Sequence, residues 1–124
     1  KTKLAKHVHQ RHGFLAGSDR ERAADLMSMF TDRKVDGILC VRGGYGTARL
    51  LPLLDFAVIR RHAKVFVGYS DITALHALWA GNGLPTLHAP MPASDLVKPG
   101  REDDAQALFA PRAVVFTETS MPRP

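Results

Sequence analysis

The chain has 124 residues, 45% of them hydrophobic, which is enough to bury the core of one globular domain or of part of one. No apolar run approaches the length that spans a bilayer, and a single cysteine, Cys40, excludes an internal disulfide framework and suits a reducing compartment. The net charge is +5, but the 17 Lys and Arg residues are scattered and aromatic residues are sparse. The composition therefore argues against a nucleic-acid partner and is compatible with attraction of a small acidic substrate.

The first part of the chain predicts a partly strand-like segment, then a helix, then a strand. Ser18 and Glu21 have the spacing of a capping box, and the apolar residues that follow recur at helical spacing. This pattern predicts a helix from about Asp19 to Phe30. Residues 35–41, "VDGILCV", are a continuous apolar run, which predicts a strand buried on both faces with Cys40 as a small apolar residue in it.

The rest of the chain continues to alternate helices with strands. The predicted elements are a short helix from Thr47 that Pro52 interrupts, a helical turn capped by Asp55, a strand at 64–68, a helix at 71–80, a strand at 85–89, a helix at 101–110 and a strand at 112–119. This rhythm predicts an α/β fold with a doubly wound, mostly parallel sheet flanked by helices, of the flavodoxin-like or Rossmann-like kind. In such sheets, sites form beyond the carboxyl ends of the strands.

The sequence "VRGGYG" at 41–46 directly follows the first of these apolar strands. Its glycines allow positive φ and a close approach to a ligand, and their amides could hold an anion. The spacing matches neither the dinucleotide-binding fingerprint nor the P-loop. Two interpretations stay open: a backbone anion site, and a tight turn whose glycines serve geometry alone.

The sequence "GYSD" at 68–71 places a serine between a strand and a helix. This is the layout of a nucleophile elbow, although Ile72 stands where the elbow pattern has its last glycine. Taken alone, the stretch favours the simpler interpretation that Ser70 is a helix cap. Because both stretches follow the carboxyl ends of consecutive strands, they can face one crevice. There the backbone N–H groups of Asp71 and of a glycine at 43–44 could stabilise an oxyanion beside Ser70.

The histidines offer no clear general base for Ser70. His76 lies six residues further along a helix and is rotated away from it. His88, near the end of the next strand, is the candidate within the chain, although a structural role suits such a histidine as well. The H-x-H-x-x-H pattern at 7–12 lacks a cysteine or carboxylate that would complete a zinc site, so we expect no metal.

Four stretches together resemble the LD-carboxypeptidase family, the serine peptidases grouped with muramoyl-tetrapeptide carboxypeptidase. They are "AGSDRERAADLMSMF", "VDGILCVRGGYGTARLLPLLD", "KVFVGYSDITALHAL" and "GLPTLHAPM", and the similarity runs from about Gly13 to Met91. The resemblance implies a cytoplasmic enzyme of cell-wall recycling that removes the terminal D-alanine from murein tetrapeptide without a metal or organic cofactor. It implies that Ser70 is the nucleophile and that the amides of Asp71 and Gly44 form the oxyanion hole.

The resemblance also implies that residues 1–124 are a single, incomplete N-terminal domain that carries the nucleophile. In the family, the base is a histidine oriented by a glutamate, and both belong to a C-terminal domain that we expect this chain to lack. We expect substrate contacts at four residues of the crevice: Arg42, Gly43, Tyr45 and His88. The expected partner is a small peptide, with no nucleic acid and no membrane, and uncovered apolar surface predicts a homo-oligomer or dimer.

The sequence leaves several alternative functions open. A sibling branch of the family, the microcin C self-immunity peptidases, shares the serine motif and cleaves aminoacyl-nucleotide conjugates, but Arg42 and the pair Tyr45-Gly46 favour the cell-wall branch. Ala89 stands where the family usually has glycine, and its methyl group could crowd the crevice. The chain could also be a catalytically silent binding module that lacks a base, or a small anion-binding domain.

Overall fold

The computed structural model describes residues 1–93 and the two strand residues 115–116. The elements are α1 (Asp19–Thr31), β1 (Gly37–Leu39), a 3₁₀ helix (Ala48–Leu53), α2 (Phe56–Arg61), β2 (Val65–Gly68), a 3₁₀ turn (Ser70–Ile72), α3 (Thr73–Ala80), β3 (Thr86–His88) and β4 (Val115–Phe116). The sheet has the order β1-β2-β3-β4, with the first three strands parallel and β4 antiparallel to β3. The predicted α/β fold with a mostly parallel, helix-flanked sheet is confirmed, while the predicted helix at 101–110 lies outside the described residues.

The helices begin where the sequence predicts because their caps are local. The Ser18 hydroxyl accepts the Glu21 N–H at 3.3 Å, and the Glu21 carboxylate accepts the Ser18 N–H at 2.8 Å, which is a complete capping box. The backbone N–H and the hydroxyl of Ser18 both donate to the Glu21 carboxylate at 2.8 Å, and these two bonds hold the pKa of Glu21 below its usual range. Asp55 starts α2 in a similar way, through a 3.0 Å bond from the Val58 N–H to its carboxylate.

One hydrophobic core joins the three α-helices to β2. Its centre is aromatic: the ring of Phe66 lies 4.0 Å from that of Trp79, and the Trp79 ring lies 5.6 Å from that of Phe30. All three side chains are almost fully buried. The longest helix of the described part, α1, has 13 residues, and no helix there is long and apolar enough to cross a membrane.

Two predictions about the first strands are wrong. Residues 1–17 contain no strand, only one isolated bridge between His12 and Leu15, and the segment is instead held on α1 by 2.8 Å bonds from the His7 backbone and ring to the Asp25 carboxylate. The strand β1 is not buried on both faces, since Leu39 is 37% exposed. Leu39 pairs with Val67 and so faces away from the helical core, and β1 is the outermost strand of the sheet that the described residues form.

Candidate active site

Ser70 has a strained backbone at the carboxyl end of β2. Its φ is 62°, and it is the one residue other than glycine with a positive φ in the part of the chain that the structure describes. This conformation costs an L-residue roughly 1–2 kcal/mol, and strain of this kind concentrates at functional sites. Helix capping does not explain it, because neither the 3₁₀ turn nor α3 has a side-chain capping bond. The side chain of Ser70 is exposed at this edge of the sheet.

The glycine-rich turn after β1 lies directly against Ser70. A Cβ atom added at Gly43 would lie 3.0 Å from the Ser70 Cβ and 3.3 Å from its Oγ, so any larger residue would push against the serine. Gly44 and Gly46 both have positive φ, at 125° and 122°. The structure thus brings together the two stretches that the sequence pattern pairs, and it places the Gly43 backbone against the exposed Ser70. An exposed hydroxyl on such a turn suits attack on a carbonyl group.

A carboxylate links the two turns. The Asp71 Oδ2 accepts the Thr47 N–H at 2.9 Å and the Thr47 Oγ–H at 2.6 Å, and Thr47 is almost fully buried. From the sequence, a role is predicted only for the backbone N–H of Asp71, and this side-chain contact is not. A signal was present: Thr47 opens a 3₁₀ helix that has no capping side chain of its own and no acidic residue in its first turn.

His76 is a structural residue whose ring bonds the end of β2, just before the serine turn, and the neighbouring strand β3. Its Nε2 lies 2.8 Å from the Gly68 carbonyl oxygen and its Nδ1 lies 2.7 Å from the Thr86 Oγ. Because a carbonyl only accepts, Nε2–H donates to Gly68, and the neutral ring accepts the Thr86 hydroxyl at Nδ1. Desolvation by burial lowers the pKa of His76. Both ring nitrogens are engaged, which agrees with the expectation that His76 is not the base for Ser70.

Arg42 and Tyr45 lie on the exposed side of the glycine turn. The Arg42 guanidinium donates to the carbonyl oxygens of Gly43 at 3.1 Å and Phe14 at 2.9 Å, which orients a cation next to the crevice. Tyr45 is 70% exposed and its ring lies 6.3 Å from the exposed ring of Phe14. A cation and an aromatic pair at the rim are suited to contact a peptide with free carboxylates. Their contact with substrate stays a prediction.

His88 lies at the same edge of the sheet, at the end of β3. It is the register partner of Gly68, and its ring is 6.0 Å from the Tyr69 ring and 5.7 Å from the His76 ring. The side chain is exposed. This position agrees with a residue that borders the crevice, and its roles as a base or a substrate contact stay predictions.

The histidine pattern at 7–12 and Cys40 also carry reactive side chains, and the structure gives His7 and Cys40 structural contacts. His7, the first histidine of the H-x-H-x-x-H pattern, bonds the Asp25 carboxylate, and the described residues contain no group of three side chains that could hold a metal ion. Cys40 packs against the core, and burial raises the pKa of its thiol to about 12, so the thiol stays neutral.

Comparison with known proteins identifies relatives of this domain. The LD-carboxypeptidase N-terminal domain matches residues 1–89. A probable murein peptide carboxypeptidase of Bacillus subtilis (strain 168) is 44% identical over 125 residues, which cover 97% of this chain and 39% of that protein. The structure of muramoyltetrapeptide carboxypeptidase from Oxalobacter formigenes is also similar, with 32% identity and a TM-score of 0.73 over 85% of this chain and 38% of that one.

A second solved structure has a similar fold. It is the microcin C7 self immunity protein MccF in complex with aspartyl sulfamoyl adenosine, with 29% identity and a TM-score of 0.78 over 85% of this chain and 32% of that one. The chain therefore spans less than two fifths of the length of each of these three relatives.

Proposed function

The chain belongs to the LD-carboxypeptidase family through its N-terminal domain, and on that premise we propose that the full-length protein is a serine carboxypeptidase that acts on murein peptides. The observation that carries the proposal is the backbone of Ser70, which holds a positive φ of 62° directly against Gly43. A nucleophile elbow needs this conformation to expose its hydroxyl above the edge of the sheet.

The reaction we propose is attack of the Ser70 Oγ on the carbonyl carbon of the bond that precedes a terminal D-alanine. The carbonyl oxygen becomes an oxyanion, and the backbone N–H groups of Asp71 and Gly44 stabilise it. Collapse of the tetrahedral intermediate breaks the C–N bond and releases D-alanine, and water then hydrolyses the acyl-enzyme. Each preorganised donor of such a hole contributes roughly 10²–10³-fold in rate. No metal or organic cofactor takes part.

The proton of Ser70 needs an acceptor. His76 is committed to Gly68 and Thr86 through both ring nitrogens. We therefore assign the base, a histidine with a glutamate that orients it, to a C-terminal part of the full-length protein. The relatives are more than twice as long as this chain, which leaves room for such a part. The crevice at the carboxyl edge of the sheet is where it would meet Ser70.

Arg42 and Tyr45 would select the substrate. The side chain of Arg42 is oriented by two backbone carbonyls and places a positive charge beside the crevice. It would pair with a carboxylate of the peptide, while the exposed Tyr45 would cover the peptide backbone. Gly43 and His88 would line the crevice between them.

A second candidate reaction is cleavage of an aminoacyl-nucleotide conjugate. It is favoured by one observation, the TM-score of 0.78 to the MccF complex with aspartyl sulfamoyl adenosine. The two reactions share the attack by Ser70 and differ in the leaving group, so the choice of substrate separates them.

The test uses the full-length protein and its Ser70→Ala variant. The unmodified enzyme should release D-alanine from murein tetrapeptide, and Ser70→Ala should lower kcat about 10⁴-fold or more without loss of the folded state. Ser18→Ala is the matched control, since Ser18 caps α1 and should affect stability alone. Retained turnover in Ser70→Ala would rule out the assignment of the nucleophile.

Two further outcomes separate the alternatives. Cleavage of an aminoacyl sulfamoyl nucleoside, with the tetrapeptide left intact, would favour the second candidate reaction. Failure of a fluorophosphonate to label Ser70 in the full-length protein would favour a silent binding module and contradict both reactions.

Two expectations accompany the proposal. Recycling of murein peptides would place the protein in the cytoplasm. Exposed apolar side chains on the sheet, among them Leu39 and Val65, favour self-association of the 124-residue chain as a homo-oligomer or dimer. Sedimentation of that chain as a clean monomer would contradict the second expectation.

A further inference from the structure

A cation on α1 bonds the glycine turn that follows β1. The Arg22 Nη2 donates to the carbonyl oxygen of Gly46 at 3.1 Å, across 24 positions of the sequence. Only 15% of the Arg22 side chain is exposed, so water competes little for this bond. A Cβ atom added at Gly46 would lie 3.3 Å from the same Nη2, so the guanidinium lies directly against the glycine. The proposed reaction assigns no role to this contact.

A carboxylate holds the guanidinium in place. Asp19, one turn earlier in α1, accepts the Arg22 Nη2–H at its Oδ1 and the Arg49 Nε–H at its Oδ2, the latter at 2.8 Å. These bonds, above all the one from Arg22, hold the pKa of Asp19 below its usual range, so the carboxylate is ionised near neutral pH. The two hydrogens of one Nη2 group thus bond Asp19 and Gly46, which leaves the guanidinium little freedom to rotate.

The bond from Arg22 completes a clamp on one peptide group. The Gly46 carbonyl and the Thr47 N–H belong to the same planar peptide group and point in opposite directions. The carbonyl oxygen accepts from Arg22, and the N–H donates to the Asp71 carboxylate at 2.9 Å. A cation at the oxygen and an anion at the N–H polarise the peptide group in the same sense, so each bond strengthens the other.

We propose that Arg22 is a positioning residue for the oxyanion hole. The clamped peptide group begins two residues after Gly44, whose N–H is the proposed donor to the oxyanion. Arg22 fixes the end of the glycine turn and, through it, the direction of the Gly44 N–H. Arg22 acts through the turn and does not itself contact the substrate. The inference rests on the proposed function, which supplies the role of Gly44.

The test compares Arg22→Gln with Arg49→Gln in the full-length protein, with murein tetrapeptide as the substrate. Both variants remove one positive charge and one partner of Asp19. Only Arg22→Gln also removes the bond to Gly46, because glutamine is too short to reach that oxygen. Arg22→Gln should lower kcat about tenfold or more and leave KM within about twofold, since a displaced oxyanion donor weakens binding of the transition state and not of the substrate. Arg49→Gln should keep the kcat of the unmodified protein.

A second measurement reports on the clamp without any turnover. Amide hydrogen exchange of the ¹⁵N-labelled full-length protein should be about tenfold faster at the Thr47 N–H in Arg22→Gln than in Arg49→Gln, because the peptide group has lost one of its two anchors. Urea unfolding shows whether each variant is folded. If Arg22→Gln does not fold, Asp19→Asn takes its place: it removes the charge that holds Arg22 and should lower kcat about threefold, the size expected from an ion pair that is partly exposed to solvent.

Three results would overturn the inference and leave the proposed function intact. The first is equal kcat in the folded Arg22→Gln and Arg49→Gln variants, or an unchanged kcat in Asp19→Asn where that variant decides. The second is a loss in Arg22→Gln that falls on KM alone. The third is equal exchange of the Thr47 N–H in the two arginine variants. Absence of turnover in the unmodified protein would overturn the proposed function and this inference with it, because the turn would then have no oxyanion to stabilise.

Discussion

The turn after β1 and the turn after β2 meet at one edge of the sheet, but they reach the left-handed backbone region in different ways. The first turn uses glycines, with φ of 125° at Gly44 and 122° at Gly46. The second turn places Ser70 there, at φ 62°, although a glycine would adopt this conformation with less strain. The difference indicates that the first turn needs the absence of side chains, whereas the second needs its side chain in spite of the strain.

The two turns depend on each other. The Gly43 backbone lies against Ser70, and the Asp71 carboxylate, one residue after the serine, bonds both the N–H and the hydroxyl of Thr47, one residue after the glycine turn. Each turn therefore fixes the position of the other. A substitution in one turn should therefore change the stability or the activity that depends on the other turn.

The largest effect is expected from Gly43→Ala in the full-length protein. The new Cβ would lie 3.0 Å from the Ser70 Cβ, so the serine must shift. Because a displacement of about 1 Å at a reacting group costs about 10²-fold, kcat/KM for the peptide should fall by up to about that factor, with little change in stability. The measurement is steady-state kinetics together with a urea unfolding curve.

Gly83→Ala is the matched control, and we expect it to lower stability without lowering activity. Gly83 has a φ of 74° and nothing within 4 Å of an added Cβ. Gly83→Ala should therefore lose about 1 kcal/mol of stability and keep its activity. Full activity in Gly43→Ala would show that the turn after β1 does not approach the reacting atoms.

The next effect concerns the bond between the two turns. Asp71→Ala and Thr47→Val should each lower the free energy of unfolding by about 1.5–3 kcal/mol, as expected for hydrogen bonds to a charged group. The double variant should lose less than the sum, with a coupling of about 1–2 kcal/mol. Urea unfolding of the four proteins measures this coupling. A coupling near zero would mean that the two turns are held independently.

A smaller effect isolates the backbone strain at Ser70. Ser70→Gly and Ser70→Ala both remove the hydroxyl, but only glycine relieves the positive φ. The glycine variant should therefore be more stable than the alanine variant by about 1 kcal/mol in urea unfolding. At Ser28, exposed inside α1, the order should reverse, because glycine weakens a helix interior by roughly 0.5–1 kcal/mol. The same order at both serines would show that Ser70 carries no strain.

What the sequence predicts well is what nearby residues decide. The start of α1 depends on a capping box of Ser18 and Glu21, three residues apart, and the paired turns follow from the rule that parallel strands present their carboxyl ends at one edge. Contacts between residues that are far apart in the sequence could not be predicted. The bond from Thr47 to Asp71 spans 24 positions, and no local pattern distinguishes it from any other pairing of a threonine with an aspartate.

The errors have the same origin. An apolar run such as 35–41 indicates a strand, but it does not tell where in the sheet that strand lies. Among the described strands β1 is outermost, with Leu39 partly exposed. Likewise, the residues before Gly17 have a strand-like pattern, but that pattern does not show that His7 bonds Asp25, which is 18 positions away. Local patterning predicts the type of an element, whereas its surroundings depend on the rest of the fold.

The smallest expected effect tests whether His76 supports the serine turn as a neutral ring. Burial lowers its pKa from the ordinary value of 6.5, so as the pH falls the unfolded chain takes up this proton before the folded protein does. Stability should therefore fall as the pH drops below 6.5, until the folded ring is protonated as well. Thermal midpoints between about pH 8 and pH 5 measure this dependence. His76→Gln keeps a donor for the Gly68 carbonyl without titrating and should flatten the curve, whereas the exposed variant His9→Gln should not. An unchanged curve in His76→Gln would mean that the ring carries no such linkage, and that the Gly68 carbonyl is held before the strained serine by packing alone.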